Sequence, residues 1–246
     1  MQIGAQLFTV SDFTKNLNDF AETLKRVTDI GYKNVQVSGT CPYEPQWLKE
    51  QLEANGLKCV LTHTPADRIE KQPEQVANDH RIFGCSNVGI GWYNLSECGV
   101  DAFYDRFIKS INVLRQNNMR LLYHNHDHEF EKQNGKTILQ QMAERFSKDE
   151  LGFTLDTYWV QAGGGDPIWW INYLKGRVPC VHLKDMAYGR KMMVVGEGNM
   201  NFEGILKSCV DAGTEYALVE QDDCNGENPF DCLKRSYEYL KSRGFN

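Results

Sequence analysis

Phe153-Thr154-Leu155-Asp156, a helical stretch through Trp169 to Leu174, and Val178-Pro179-Cys180-Val181-His182-Leu183 read together as strand, helix, strand. Both outer runs are short, apolar and without in–out alternation. That is the pattern of a parallel strand buried on both faces. A helix between two such runs is the crossover that parallel neighbours require. Each run also delivers a polar side chain near its end, Asp156 in one and His182 in the other.

The unit repeats outward from here. Upstream strand-like runs are Ile3 to Phe8, Asn34 to Val37, Lys58 to Thr62, Asn87 to Gly91 and Arg120 to His124, and downstream is Tyr216 to Glu220. Helical patterns fill the gaps, at about 16–30, 46–55, 65–83, 100–116, 137–146 and 202–212, and 229–243 closes the chain. In the first, Phe20, Leu24, Val27 and Ile30 recur at helical spacing, and Gly31 stands where a C-cap glycine would. Eight strand–helix units in 246 residues predict an α/β fold, a closed parallel (β/α)8 barrel forming one domain over 1–246. The alternative is an open doubly wound sheet. Its nucleotide-binding form needs a glycine-rich first turn, whereas this first turn is Thr9-Val10-Ser11-Asp12.

Composition narrows the function. The net charge is −6 and the basic residues are dispersed, which argues against nucleic acid and anionic membranes as partners. No apolar run approaches the roughly 20 residues of a membrane span. The eight cysteines are widely spaced with no Cys-x-x-Cys pair, and the chain opens directly on a strand-like run. Reduced thiols in a cytoplasmic protein are expected.

In a parallel barrel the chemistry sits at the C-terminal strand ends. The fifth run ends in His124-Asn125-His126 and the sixth in Asp156. The seventh carries His182, then Lys184 and Asp185, and the eighth Glu220, then Asp222 and Asp223. Any one of these alone would more often cap a helix or satisfy a structural hydrogen bond. Four neighbouring strands bringing such ends to one point suggest a metal site. Mixed imidazole and carboxylate donors suit Mn2+, Co2+ or Zn2+, with Mg2+ also allowed.

The chain resembles the xylose isomerase-like TIM barrel superfamily, the sugar phosphate isomerases/epimerases, which also holds inosose dehydratases and ketose 3-epimerases. The matching pieces are Gly4-Ala5-Gln6-Leu7-Phe8, Leu155-Asp156-Thr157, Val181-His182-Leu183-Lys184-Asp185, Val195-Gly196-Glu197-Gly198 and Leu218-Val219-Glu220. The resemblance implies metal ligands Glu, Asp, His and Glu on the last four strands. Asp156, His182 and Glu220 carry over. Where the family places the first Glu, this chain has His124, within an inosose dehydratase-like His-Asn-His strand. Either His124 (or His126) replaces that ligand, or the metal keeps three protein ligands and water. The second strand, often bearing Glu in the family, has Gln36.

The implied activity is a metal-dependent sugar isomerase or epimerase that moves a proton beside a carbonyl through an enediolate. Glu220 is expected as one acid/base group, His124 or His126 as the other, and Lys184 to hold the developing oxyanion. His63, Gln6, Trp92, Trp159 and Arg190 are expected to contact a small carbohydrate, and Phe8 to stack on it; Glu129 is read as a loop salt-bridge partner. No phosphate cradle is visible, so the sugar is expected to be unphosphorylated. The rivals are a lyase or dehydratase on a keto-sugar or keto-inositol, and a non-catalytic sugar-binding barrel. A homo-oligomer is compatible with any of these. A DNA-repair endonuclease of the related barrel type would need a larger ligand set and a basic groove.

Overall fold

A computed structural model describes residues 1–245. Eight parallel strands close into a barrel: β1 (Gln2–Gln6), β2 (Asn34–Val37), β3 (Lys58–His63), β4 (Asn87–Ile90), β5 (Arg120–His124), β6 (Gly152–Asp156), β7 (Cys180–Leu183) and β8 (Tyr216–Val219). Successive strands pair with one another, and β1 pairs with β8 to close the ring, Gln2 opposite Tyr216 and Ala5 opposite Val219. The protein is thus the (β/α)8 barrel that the repeating pattern predicts.

The helices pack around this ring. They are α1 (Leu17–Ile30), α2 (Pro45–Ala54), α3 (Ala66–Lys71), α4 (Pro73–Ile82), α5 (Leu95–Cys98), α6 (Val100–Gln116), α7 (Ile138–Arg145), α8 (Thr157–Ala162), α9 (Pro167–Tyr173), α10 (Phe202–Ala212) and α11 (Pro229–Ser242). The apolar stripes read from sequence are the buried faces. Phe20, Leu24 and Val27 of α1 and Phe103, Phe107, Ile111 and Leu114 of α6 are all fully buried. Asn16 caps α1 by accepting from the Asp19 N–H, and Gly31 ends it at φ 126°, a value that favours glycine.

Three local features differ from the sequence reading. The helix expected over 65–83 is two helices, because Pro73 opens α4 and disfavours helical geometry at Gln72, which sits at φ −138°, ψ 46°. The first strand stops at Gln6, and Leu7–Phe13 turns into 3-10 helix. The sixth unit holds a helix the apolar pattern did not mark: α8 begins directly after Asp156, which caps it. Two short hairpins, Lys132–Gln133 with Lys136–Thr137 and Asp185–Ala187 with Lys191–Met193, decorate the fold.

Two apolar clusters make the core. The larger lies between strands and helices. The smaller is built only from strand residues, among them Leu61, Leu122, Cys180 and Leu218, and fills the barrel interior. Register then sets what comes above it. Leu218 lies opposite His182, and His182 opposite Asp156, so these side chains share the inner face. A register shift between Val35 and Gln36 on β2 breaks the pairing with β3 where Gln36 enters the mouth. Among the described residues all eight cysteines are free, and no helix is long and apolar enough to cross a membrane.

Candidate metal centre

His124, Asp156, His182 and Glu220 converge at the C-terminal mouth. Each offers one donor atom, and the four atoms lie within 4.8 Å of one another. All four residues are buried. In each case one side-chain atom is anchored outward and another is turned in.

His124 ends β5. Its Nδ1 lies 3.1 Å from the Gly91 carbonyl oxygen, which can only accept, so Nδ1 carries the proton. Nε2 is left with its lone pair, 3.4 Å from Asp156 Oδ2. Asp156 ends β6 and caps α8. Its Oδ1 accepts from the Trp159 N–H at 2.9 Å, and its own N–H donates to Asn125 Oδ1 at 3.0 Å, which leaves Oδ2 facing inward. His182 reaches across the mouth to β2, with Nε2 2.6 Å from Gln36 Oε1. Its Nδ1 is buried with no hydrogen-bond partner among the described residues. Glu220 follows β8. Its Oε1 accepts from Gln6 Nε2 at 2.9 Å, while Oε2 is buried and turned inward, 3.0 Å from His182 Nδ1 and 2.9 Å from Lys184 Nζ.

This donor set fits a divalent cation. Two imidazole nitrogens and two carboxylate oxygens match borderline ions. Tetrahedral ligands at about 2.0–2.2 Å from a metal stand roughly 3.4 Å apart. Three of the pairs here are 3.0, 3.4 and 3.7 Å apart. Outward hydrogen bonds that fix tautomer and orientation are the usual second layer of such a site.

Lys184 adds a fixed positive charge. It is fully buried, with Nζ 3.2 Å from Asp156 Oδ2, 2.9 Å from Glu220 Oε2 and 2.9 Å from Asp222 Oδ2. Burial opposes the charged ammonium, but the three carboxylates outweigh it and raise its pKa. In return, burial favours the neutral form of Asp156 and Glu220, yet Lys184 and the nearby imidazoles hold both well below the usual carboxylate range. Asp222 goes the other way. Burial, then repulsion from Glu220, pushes it up to about 6.

A cavity of about 400 Å3 opens above the cluster. Gln6, His63, Trp92, His124, His126, Trp159, Lys184 and Glu220 all line it, so the structure brings together nearly every residue singled out in the sequence. His63 Nδ1 lies 3.0 Å from Ser38 Oγ, and a Cβ at Gly91 would come within 2.6 Å of that nitrogen, which is why glycine suits the end of β4. His63 Nε2, His126 Nδ1 and Trp159 Nε1 are buried without hydrogen-bond partners among the described residues. Burial pushes both histidines down, His126 to about 3 with help from His124, so both are neutral near pH 7. Phe8 and Trp92 are exposed at the rim.

Arg190 lies elsewhere. It sits on the second hairpin, half-exposed, paired with Asp127 at 2.6 Å. Asp185 is not in the cluster either. Its carboxylate accepts from the backbone N–H groups of Met186, Gly196, Gly198 and Met200 and so ties down the loop after the hairpin. Glu129 makes the expected loop salt bridge, to His128 Nε2 at 3.0 Å, but is fully buried, accepting also from Tyr123 Oη and the His126 N–H. Sequence reasoning missed Asp222 as the partner of Lys184. It also missed the anchors Gln36, Asn125 and the Gly91 carbonyl, none of which carries a local pattern.

Residues 24–243 match the family model for xylose isomerase-like TIM barrels. The chain belongs to that family. Solved structures with the same fold include a sugar phosphate isomerase/epimerase from Parabacteroides distasonis, with TM-score 0.83 and 20% identity over 98% of this chain and 93% of that one. An L-ribulose 3-epimerase has TM-score 0.77 and 15% identity over 98% and 94%. A probable 3-DHS dehydratase involved in petrobactin synthesis, from Bacillus anthracis, has TM-score 0.73 and 16% identity over 99% and 100%. At these identities the likeness is one of fold. No curated protein matches the sequence.

Proposed function

We propose that the protein is a metal-dependent isomerase or epimerase of an uncharged keto-sugar. The observation that carries this reading is the inward set of His124 Nε2, Asp156 Oδ2, His182 Nδ1 and Glu220 Oε2, each opposite an anchored atom of the same side chain. His124 is the fourth ligand on this reading, in place of the family glutamate, because its free nitrogen faces the cluster. A divalent ion held there supplies a Lewis acid that polarises a substrate carbonyl.

The remaining work falls to side chains. Of Glu220 and His126, one takes the proton from the carbon beside the carbonyl and the other delivers a proton to the opposite face. Both line the cavity, and His126 Nδ1 is unpaired at its wall. The Lys184 ammonium stabilises the negative charge that develops on the enediolate oxygen. Gln6, His63 and Trp159 offer polar atoms to sugar hydroxyls, and Phe8 and Trp92 offer ring faces. Charge supports a neutral substrate: Asp156, Glu220 and Asp222 balance Lys184 and a divalent ion, with no further cation lining the cavity among the described residues.

A dehydratase reading shares the first proton transfer. It is favoured by Asp222, which lines the cavity beside Lys184, where an acid could meet a departing hydroxyl. Incubation with a panel of ketohexoses and keto-inositols in heavy water tests both. Deuterium entering beside the carbonyl only when Mn2+, Co2+ or Zn2+ is present supports the proposal, and epimer formation favours the isomerase. Elimination product without epimer favours the dehydratase. Absence of exchange from every substrate with every metal overturns both.

A further inference from the structure

A second cavity adjoins the first. Its volume is about 630 Å3, and the two share Ser38, His63, Thr64 and Pro65. It runs between the loop after β2, the end of β3 and α4. Both volumes lie within the range of about 300–1,000 Å3 typical of small-molecule sites. The metal-facing cavity is already large enough for a single sugar ring, so the second is surplus to a monosaccharide.

Its surfaces suit a sugar. On one side Arg68 pairs with Asp79, and Gln75 Nε2 donates to Asp79 Oδ1 at 2.7 Å. The N–H groups of Arg68 and Gln75 left over from Asp79 are donors that hydroxyls accept. Tyr43, from the loop after β2, and Phe83, which ends α4 one turn beyond Asp79, add apolar ring area to the lining. Arg68 is matched by Asp79, so the groove does not select for an anion. At the junction stands His63, held through Nδ1 by Ser38, with Nε2 buried and without a hydrogen-bond partner among the described residues.

The geometry points to a two-unit substrate. One keto-sugar ring occupies the metal-facing cavity, and a glycosidic oxygen beside His63 links it to a second sugar unit in the groove. This rests on the sugar reading of the metal-facing cavity and specifies its substrate as a glycoside or disaccharide rather than a free monosaccharide.

Calorimetric binding to the Mn2+-loaded protein tests it, with fructose, lactulose, isomaltulose and turanose as probes, each disaccharide being a glycoside of a free ketose. At least one disaccharide should bind about tenfold or more tightly than fructose. Glu44→Trp should remove that gain and leave fructose binding unchanged. Glu44 is an exposed wall of the groove whose side chain makes no cap hydrogen bond, so the substitution leaves the fold intact. Arg68→Gln should reduce the gain in the same direction. If fructose binds and no disaccharide binds more tightly, or the gain survives both substitutions, the two-unit substrate is wrong and the sugar reading stands. If no probe binds at all, the sugar reading falls and the two-unit substrate falls with it.

Discussion

Gln36 Oε1 lies 2.6 Å from His182 Nε2, across the barrel mouth from β2 to β7. An amide oxygen only accepts, so it holds a proton on Nε2 and leaves Nδ1 turned toward Asp156 and Glu220; against burial, these carboxylates raise the imidazole to about 9, and a metal ion would take the place of the Nδ1 proton. Replacing Gln36 with Leu removes that control. Metal affinity should fall about 10–100-fold with the far-ultraviolet circular dichroism unchanged, and Gln36→Glu, which still accepts, should restore most of it. Metal titration calorimetry on the three proteins measures this.

The barrel was legible because its evidence is local and repeated. Asn34–Val37, Arg120–His124 and Cys180–Leu183 each announce a buried strand, and Phe103, Phe107, Ile111 and Leu114 announce a helix face within a dozen residues. Asp156, His182 and Glu220 were legible because a parallel barrel fixes where strand ends go. Gln36 and Asp222 were not. Their partners, His182 and Lys184, are joined to them only through barrel closure and a loop conformation. For Glu129 the loop salt bridge, to His128, was legible but its burial was not: sequence does not reveal that Tyr123 and the His126 N–H wrap its carboxylate.

Lys184 faces the cavity with its charge balanced by three carboxylates. Lys184→Met should lower turnover by about 10²–10³-fold, the usual effect of losing one group that stabilises a developing oxyanion. Metal content measured by atomic emission should stay at the wild-type level. A parallel loss of metal would instead make Lys184 a structural part of the site.

Phe107 is fully buried on α6, with its ring centroid 4.6 Å from that of Phe103. Phe107→Ala leaves a cavity the neighbouring rings cannot close. It should cost about 3–5 kcal/mol in urea unfolding.

His80 gives acid sensitivity away from the metal centre. It is buried on α4, with Nδ1 2.8 Å from the Val76 carbonyl and Nε2 2.8 Å from Thr62 Oγ1, and burial lowers its pKa to about 4. Above pH 6.5 the ring is neutral in both folded and unfolded chains and imposes no penalty. Between pH 6.5 and 4 the unfolded chain takes up the proton first, so stability falls as pH falls. The full loss is on the order of 3 kcal/mol, reached near pH 4. Urea unfolding at pH 7 and pH 4.5 should show a smaller difference for His80→Gln than for the wild type.

The central claim is that one divalent ion is held by four residues with His124 among them. Chelator-stripped protein titrated with Mn2+, Co2+ or Zn2+ should bind one ion per chain. His124→Ala should bind it about 10²-fold or more weakly, at the cost of a ligand. No saturable binding of any of these ions, or equal affinity in His124→Ala, would contradict the account.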